Sequence, residues 1–139
     1  MIPNRPMVGC RDVDAMRILL IEDDENVAEV LADAFAADGH EIAITHTGEE
    51  GLTYLAHERP DAIVLDVRLP NLNGVGVLRQ IRSVDPALPV IIMTGLATAG
   101  ELAEIQRLGV TEIIEKPELL KRFDDALARI AQRNLPQDT

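Results

Sequence analysis

The hydrophobic positions of the chain follow two spacings that alternate along most of its length. Short continuous apolar runs, such as residues 18–21 and 62–65, are typical of strands buried on both faces. Between these runs, apolar residues recur every three or four positions, which is the spacing of an amphipathic helix. The pattern predicts strands over residues 17–22, 41–46, 61–66, 89–94 and 111–115. It predicts helices over residues 26–39, 48–58, 74–84, 99–109 and 118–133.

The regular exchange of strand and helix predicts the fold class. Uniformly apolar strands require helices on both faces of the sheet, and strand–helix–strand crossovers are right-handed. We therefore expect an α/β fold with a doubly wound parallel sheet. This domain should occupy residues 16–133, after a flexible leader over residues 1–15 and before a tail over residues 134–139.

Composition and charge narrow the class of protein. Of 139 residues, 47% are hydrophobic and 27% are charged, which is typical of one globular domain. The formal net charge of −11 argues against a nucleic-acid binder, which needs a basic face. No apolar run approaches the roughly 18 residues of a membrane span. Because Cys10 is the only cysteine, no internal disulfide can form, and we expect a cytoplasmic setting. His40, His46 and His57 show no ligand spacing and are expected at the surface.

Polar side chains gather at the carboxyl ends of the predicted strands. Asp23 and Asp24 follow the first strand, and Asp66 closes the third. Thr94 closes the fourth strand, and Lys116 follows the fifth. In an open parallel sheet, ligands bind beyond the carboxyl ends of the strands, near the point where strand order reverses. We therefore expect these five side chains to share one site.

The crowding of acids predicts the chemistry of that site. Residues 22–25 are four consecutive acids, and packed carboxylates repel one another unless a cation lies among them. Mg²⁺ favours oxygen ligands of this kind. An aspartate in such a site can form an aspartyl phosphate, with Lys116 and Thr94 as donors to the phosphoryl oxygens. Taken alone, Asp23 and Asp24 could instead cap the first helix.

Four short motifs carry a resemblance to a known family. They are EDD at 22–24, LDVRLPNLNG at 65–74, MTG at 93–95 and KP at 116–117. The chain resembles the receiver domains of bacterial two-component response regulators, the CheY-like family. The resemblance implies a flavodoxin-like fold of five strands in the order 2-1-3-4-5 with five helices. It also implies a phosphorylation-dependent switch in a phosphorelay rather than an enzyme acting on other substrates.

The resemblance further implies a role for each matching residue. Asp66 would be the phosphoacceptor. The Mg²⁺ ligands would be Asp23, Asp24, Asp66 and the backbone carbonyl of Arg68. The phosphoryl-binding and switch residues would be Thr94, Gly95 and Lys116. Gly74 would lie in the loop after Asp66, where a positive φ is easily reached.

Some positions depart from the pattern of the family or tune it. Ile113 lies where the family usually carries a switching Tyr or Phe, which puts an aromatic flip coupled to Thr94 in doubt. By the resemblance, Arg68 and Leu96 would occupy positions that flank the phosphoryl group and modulate its lifetime. We expect Leu96 to hinder an attacking water, and Arg68 to reach phosphoryl oxygens or an acidic neighbour.

The preferred hypothesis is a switch phosphorylated by a sensor histidine kinase or a phosphotransfer protein. Phosphorylation would change the surface offered to a downstream protein, and a homodimer is left open. We expect no direct contact with nucleic acid or membrane. The chain would be a stand-alone receiver or a piece of a longer regulator. Two alternatives are a phosphatase or phosphotransferase, disfavoured by the lack of a substrate cap and a second acid, and a pseudo-receiver that binds partners without phosphorylation.

Overall fold

A parallel sheet of five strands forms the centre of the described structure. The computed structural model describes residues 15–68, 74–95, 98–115 and 128–130. The strands are β1 (Arg17–Ile21), β2 (Glu41–Thr45), β3 (Ala62–Asp66), β4 (Val90–Thr94) and β5 (Glu112–Glu115). Their order in the sheet is β2-β1-β3-β4-β5. The predicted strand order and the doubly wound α/β class are confirmed.

Helices connect the strands and cover both faces of the sheet. They are α1 (Glu25–Ala37), α2 (Gly48–His57), α3 (Gly74–Val84) and α4 (Ala99–Leu108). Residues 128–130 are helical and lie within the span predicted for the last helix. The rest of that span, most of the leader and the tail over residues 134–139 lie outside the described residues. Within the described part, no helix combines the length and apolar character that crossing a membrane would require.

The alternation of side chains along the strands divides the core into two layers. On one face, Ile18, Leu20 and Val64 pack with Leu31 and Phe35 of α1. On the opposite face, the alternate strand residues meet the apolar sides of α3 and α4. This second layer includes Leu19, Ile21, Ile63, Leu65, Leu78, Ile81 and Ile105. Both faces of the central strands are therefore buried, which explains why their sequences read as unbroken apolar runs.

His40 departs from the surface position expected for the histidines. Its side chain is 7% exposed, and Nδ1 accepts a hydrogen bond of 3.0 Å from the backbone N–H of Met16. The surface expectation is wrong here because the imidazole satisfies a buried donor at the start of β1. His46 is half-buried, whereas His57 is exposed as expected.

Candidate functional site

The strand register brings the ends of β1, β3 and β4 side by side. Ile21 of β1 pairs with Leu65 of β3, so the next step along both strands places Glu22 opposite Asp66. On the other side of β3, Asp66 pairs with Met93, the residue before Thr94. The chain leaves β1 towards β2 on one side and reaches β3 on the other. This reversal of strand order is where α/β sheets of this kind bind ligands.

Three carboxylates meet at this edge of the sheet. Glu22, Asp23 and Asp66 each offer one oxygen, and the three oxygens lie within 4.8 Å of one another. Glu22 is 0% exposed and Asp66 is 1% exposed, whereas Asp23 lies at the surface. Two buried acids and one exposed acid form an all-oxygen donor set. Such a set suits a hard divalent cation that keeps some of its waters.

Glu22 is a member of this group that the sequence reasoning missed. Its Oε2 accepts a hydrogen bond of 3.0 Å from the backbone N–H of Asp24. His46 donates through Nδ1 to the backbone carbonyl of Glu22 at 2.9 Å, which ties the end of β2 to the same residue. A signal was available in the sequence, because the apolar runs of β1 and β3 are each closed by an acid, and these two acids face each other.

Asp24, predicted as a metal ligand, lies outside the group of three carboxylates. Its Oδ1 accepts hydrogen bonds from the backbone N–H groups of Asn26 at 2.9 Å and Val27 at 3.2 Å. Asp24 is thus the N-cap of α1, the alternative that the sequence left open for the Asp23-Asp24 pair. The cap turns this carboxylate towards the otherwise unsatisfied donors of the first helical turn.

Asp66 is held by the loop that follows β3. Its Oδ1 accepts a hydrogen bond of 2.9 Å from the backbone N–H of Arg68. The loop closes where the N–H of Gly74 donates to the carbonyl of Val67 at 2.8 Å. A Cβ on Gly74 would lie 2.4 Å from the carbonyl oxygen of Asp66 and 2.5 Å from Cα of Val67. Gly74 is therefore required by close backbone approach; the positive φ expected there is absent.

Thr94 brings a buried hydroxyl to the edge of the sheet. Its side chain is 4% exposed, and Oγ1 has no hydrogen-bond partner among the residues that the structure describes. A buried polar atom without a partner costs about 1–3 kcal/mol. The hydroxyl of Thr94 is therefore a buried donor at the end of β4 that is unsatisfied among the described residues.

Of the other predicted site residues, two are described by the structure and two are not. Gly95 is exposed directly after Thr94, and Ile113 is a half-buried residue of β5 that packs against the second core layer. Lys116 and Leu96 lie outside the described residues, so their predicted roles stay predictions.

Arg68 forms an ion pair with an acidic side chain of α4. Its Nη2 lies 3.3 Å from Oε1 of Glu101 in α4, and the arginine side chain is 51% exposed. The expected approach to an acid is thus observed, and it joins the loop after Asp66 to the first turn of α4.

The chain is similar in sequence to known response regulators. The family sequence model "Response regulator receiver domain" matches residues 18–128 of the chain. The response regulator MprA of Mycobacterium avium (strain 104) is 34% identical over 123 residues, which cover 88% of this chain and 54% of that protein. The chain therefore spans about half the length of this relative.

Solved structures agree on the fold. A CheY-like receiver domain protein from Methanospirillum hungatei JF-1 superposes with a TM-score of 0.78 at 24% identity, covering 87% of this chain and all of that one, 100%. The receiver domain of a signal transduction histidine kinase from Syntrophus aciditrophicus also has a TM-score of 0.78. The two sequences are 25% identical, and the alignment covers 90% of this chain and 98% of the receiver domain structure.

Proposed function

The chain belongs to the response regulator receiver domain family, and on this premise we propose that Asp66 is its phosphoacceptor. Members of this family act as phosphorylation-dependent signalling switches rather than as enzymes for other substrates. The observation that carries the proposal is the group of Glu22, Asp23 and Asp66, whose carboxylate oxygens lie within 4.8 Å of one another. Asp66 is the member of the group at the end of the central strand β3.

The phosphodonor is a histidine kinase or a phosphotransfer protein carrying phosphohistidine, the partners of this family. A carboxylate oxygen of Asp66 attacks the phosphorus atom, and the P–N bond breaks as its electron pair moves to the imidazole nitrogen. The imidazole leaves as a neutral ring when its other nitrogen carries a proton. The donated hydrogen bond from the Arg68 N–H to Oδ1 holds the carboxylate in a fixed orientation during the attack.

Mg²⁺ is the proposed cofactor. Glu22, Asp23 and Asp66 would hold it, together with the backbone carbonyl of Arg68 that the resemblance implies. When bound, Mg²⁺ neutralises charge on the carboxylates and on the incoming phosphoryl group. The cap contacts of Asp24 support Glu22, rather than Asp24, as the ligand beside Asp23 and Asp66.

The phosphoryl oxygens are received by donors at the ends of β4 and β5. The buried hydroxyl of Thr94 would donate to one oxygen, and the N–H of Gly95 to another. Lys116 would form an ion pair with the group, as the resemblance implies. Recruitment of Thr94 would give a previously unsatisfied hydroxyl a partner, which favours the phosphorylated arrangement.

The test is a mass measurement after incubation with Mg²⁺ and acetyl phosphate. We expect the wild-type protein to gain the mass of one phosphoryl group and Asp66→Ala to gain none. Asp61→Ala is the matched control, because Asp61 lies at the opposite end of β3, where it accepts a hydrogen bond from the backbone N–H of Arg17.

Two outcomes contradict the proposal. Continuous consumption of acetyl phosphate without stable modification would indicate a phosphatase or phosphotransferase. No modification under any condition would indicate a pseudo-receiver.

A further inference from the structure

One ion pair joins the phosphoacceptor loop to α4. Arg68 follows Asp66 by two positions, and its backbone N–H is already bonded to Oδ1 of Asp66. The guanidinium extends away to Glu101, with 3.3 Å between Nη2 and Oε1. The base of the arginine side chain is therefore anchored beside the reacting carboxylate while its charged end is held by α4.

Glu101 also organises the beginning of α4. Its Oε1 accepts a hydrogen bond of 2.9 Å from the backbone N–H of Thr98, and its own N–H donates to Oγ1 of Thr98 at 3.0 Å. These reciprocal bonds form a capping box. Glu101 Oε1 thus both accepts the capping hydrogen bond of Thr98 and pairs with Arg68. Movement of the arginine therefore changes the contacts of the first turn of α4.

A phosphoryl group on Asp66 would compete with Glu101 for the guanidinium. It carries about 1.5 to 2 negative charges at neutral pH and three acceptor oxygens. Arginine binds such groups through two parallel hydrogen bonds. Glu101 holds the half-exposed arginine through an ion pair, and ion pairs of this kind are worth roughly 0–1 kcal/mol. The balance of charge and hydrogen bonds therefore favours the phosphoryl group.

We propose that phosphorylation draws Arg68 from Glu101 to the phosphoryl group and thereby releases the first turn of α4. The inference rests on the proposed function of Asp66. Glu101 is then a positioning residue that holds Arg68 in the unphosphorylated state. This exchange gives a route from Asp66 to α4 that does not use β5, where Ile113 replaces the aromatic residue usual in the family.

The exchange requires that Glu101 and the phosphoryl group oppose each other in binding. Coupling between two sites is reciprocal, so removing the charge of Glu101 must strengthen phosphoryl binding through Arg68. Glu101→Gln removes that charge and keeps a side chain suited to a capping box. We expect it to tighten binding of beryllofluoride, a phosphoryl mimic, by about two- to fivefold in the presence of Mg²⁺.

Glu104→Gln is the matched control on the same helix. Glu104 pairs with Arg79 of α3 at 3.1 Å, and its side chain is 23% exposed against 22% for Glu101. Since that pair does not involve the phosphoacceptor loop, we expect Glu104→Gln to leave beryllofluoride affinity unchanged. In an Arg68→Gln background, Glu101→Gln should also have no effect, because the residue through which it acts is gone.

Amide hydrogen exchange gives a second readout. In the wild-type protein, beryllofluoride should accelerate exchange at the N–H groups of Thr98 and Glu101, and Arg68→Gln should remove this response. The inference is overturned if Glu101→Gln behaves like Glu104→Gln, or if its effect persists without Arg68. Failure of the wild-type protein to bind beryllofluoride at all would overturn the proposed function as well, whereas binding without coupling would overturn this inference alone.

Discussion

At the scale of single residues, the site depends on which atom of each acid faces which neighbour. Asp23 and Asp24 are adjacent and chemically identical, yet one joins the carboxylate group and the other caps α1. The sequence predicted Asp23 and Asp24 as metal ligands beside Asp66, whereas the carboxylates that the structure brings together are those of Glu22, Asp23 and Asp66. Residue type alone could not separate them, because the strand register decides which acid faces Asp66 and the start of α1 decides which acid becomes its cap.

The buried hydroxyl of Thr94 should lower the stability of the protein while strengthening the binding of a phosphoryl group. Because Oγ1 has no partner among the described residues, Thr94→Val should raise the free energy of unfolding by about 1 kcal/mol. The same change should weaken beryllofluoride binding, since it removes the donor that we propose for the phosphoryl oxygens. Urea unfolding and a beryllofluoride titration measure the two effects. Thr94→Ser should preserve binding and lower stability; a loss of stability in Thr94→Val would show that the hydroxyl is already satisfied.

At the scale of helices and strands, the spacing of apolar residues predicts where the elements lie but not which side chains contact one another. The two side-chain spacings located each described strand and helix, because buried strands and amphipathic helices leave distinct patterns. The pattern could not show that His40 meets the N–H of Met16, nor that Arg68 reaches Glu101. Both contacts join segments that are distant in the sequence and arise only when the helices pack on the sheet.

The turn after α3 is an element whose stability should depend on pH. Arg59 donates from Nε to Oδ2 of Asp85 at 2.6 Å and holds the pKa of Asp85 below its ordinary value, with a further contribution from the N–H of Ala87. A carboxyl group whose pKa is lowered by folding stabilises the protein above its unfolded pKa. That stabilisation is lost as the pH falls through the folded pKa.

Arg59→Gln should therefore raise the pKa of Asp85 towards its ordinary value. It should also reduce stability near neutral pH, with the difference from the wild-type protein vanishing in strong acid. NMR titration of the Asp85 carboxyl carbon and urea unfolding at several pH values measure these effects. Arg59→Lys keeps the positive charge and should shift the pKa less. An unchanged pKa in Arg59→Gln would contradict this account.

At the scale of the whole molecule, the fold was predicted in two stages. The residues alone gave the α/β class, since unbroken apolar strands separated by helices require a covered parallel sheet. The strand order followed from the resemblance and is confirmed by the pairing of β1 with both β2 and β3. Lys116 and Leu96 lie outside the described residues, so the site is defined from the side of β1, β3 and β4.

Mg²⁺ should stabilise the entire fold if it binds the group of three carboxylates. A ligand that binds only the folded state adds about 2.7 kcal/mol at one hundred times its dissociation constant. We expect Mg²⁺ to raise the thermal midpoint of the wild-type protein and of Asp24→Asn, in which asparagine preserves the helix cap. Asp23→Asn should respond much less. Equal responses in the two variants would contradict the assignment, and Ca²⁺ and Na⁺ at matched ionic strength control for screening.

If Asp66 is the phosphoacceptor, as we propose, its near-complete burial, with 1% of its surface exposed, would restrict which protein donors can reach it. A flat or hollow partner surface would rest on the rim formed by Asp23 and stop short of the reactive oxygen. A protein donor would then have to present its phosphorylated ring on a convex ridge that reaches the carboxyl end of β3. Small donors escape this demand, so their reaction rates report on the chemistry of the aspartate, whereas the rates of protein donors also report on the fit of that ridge.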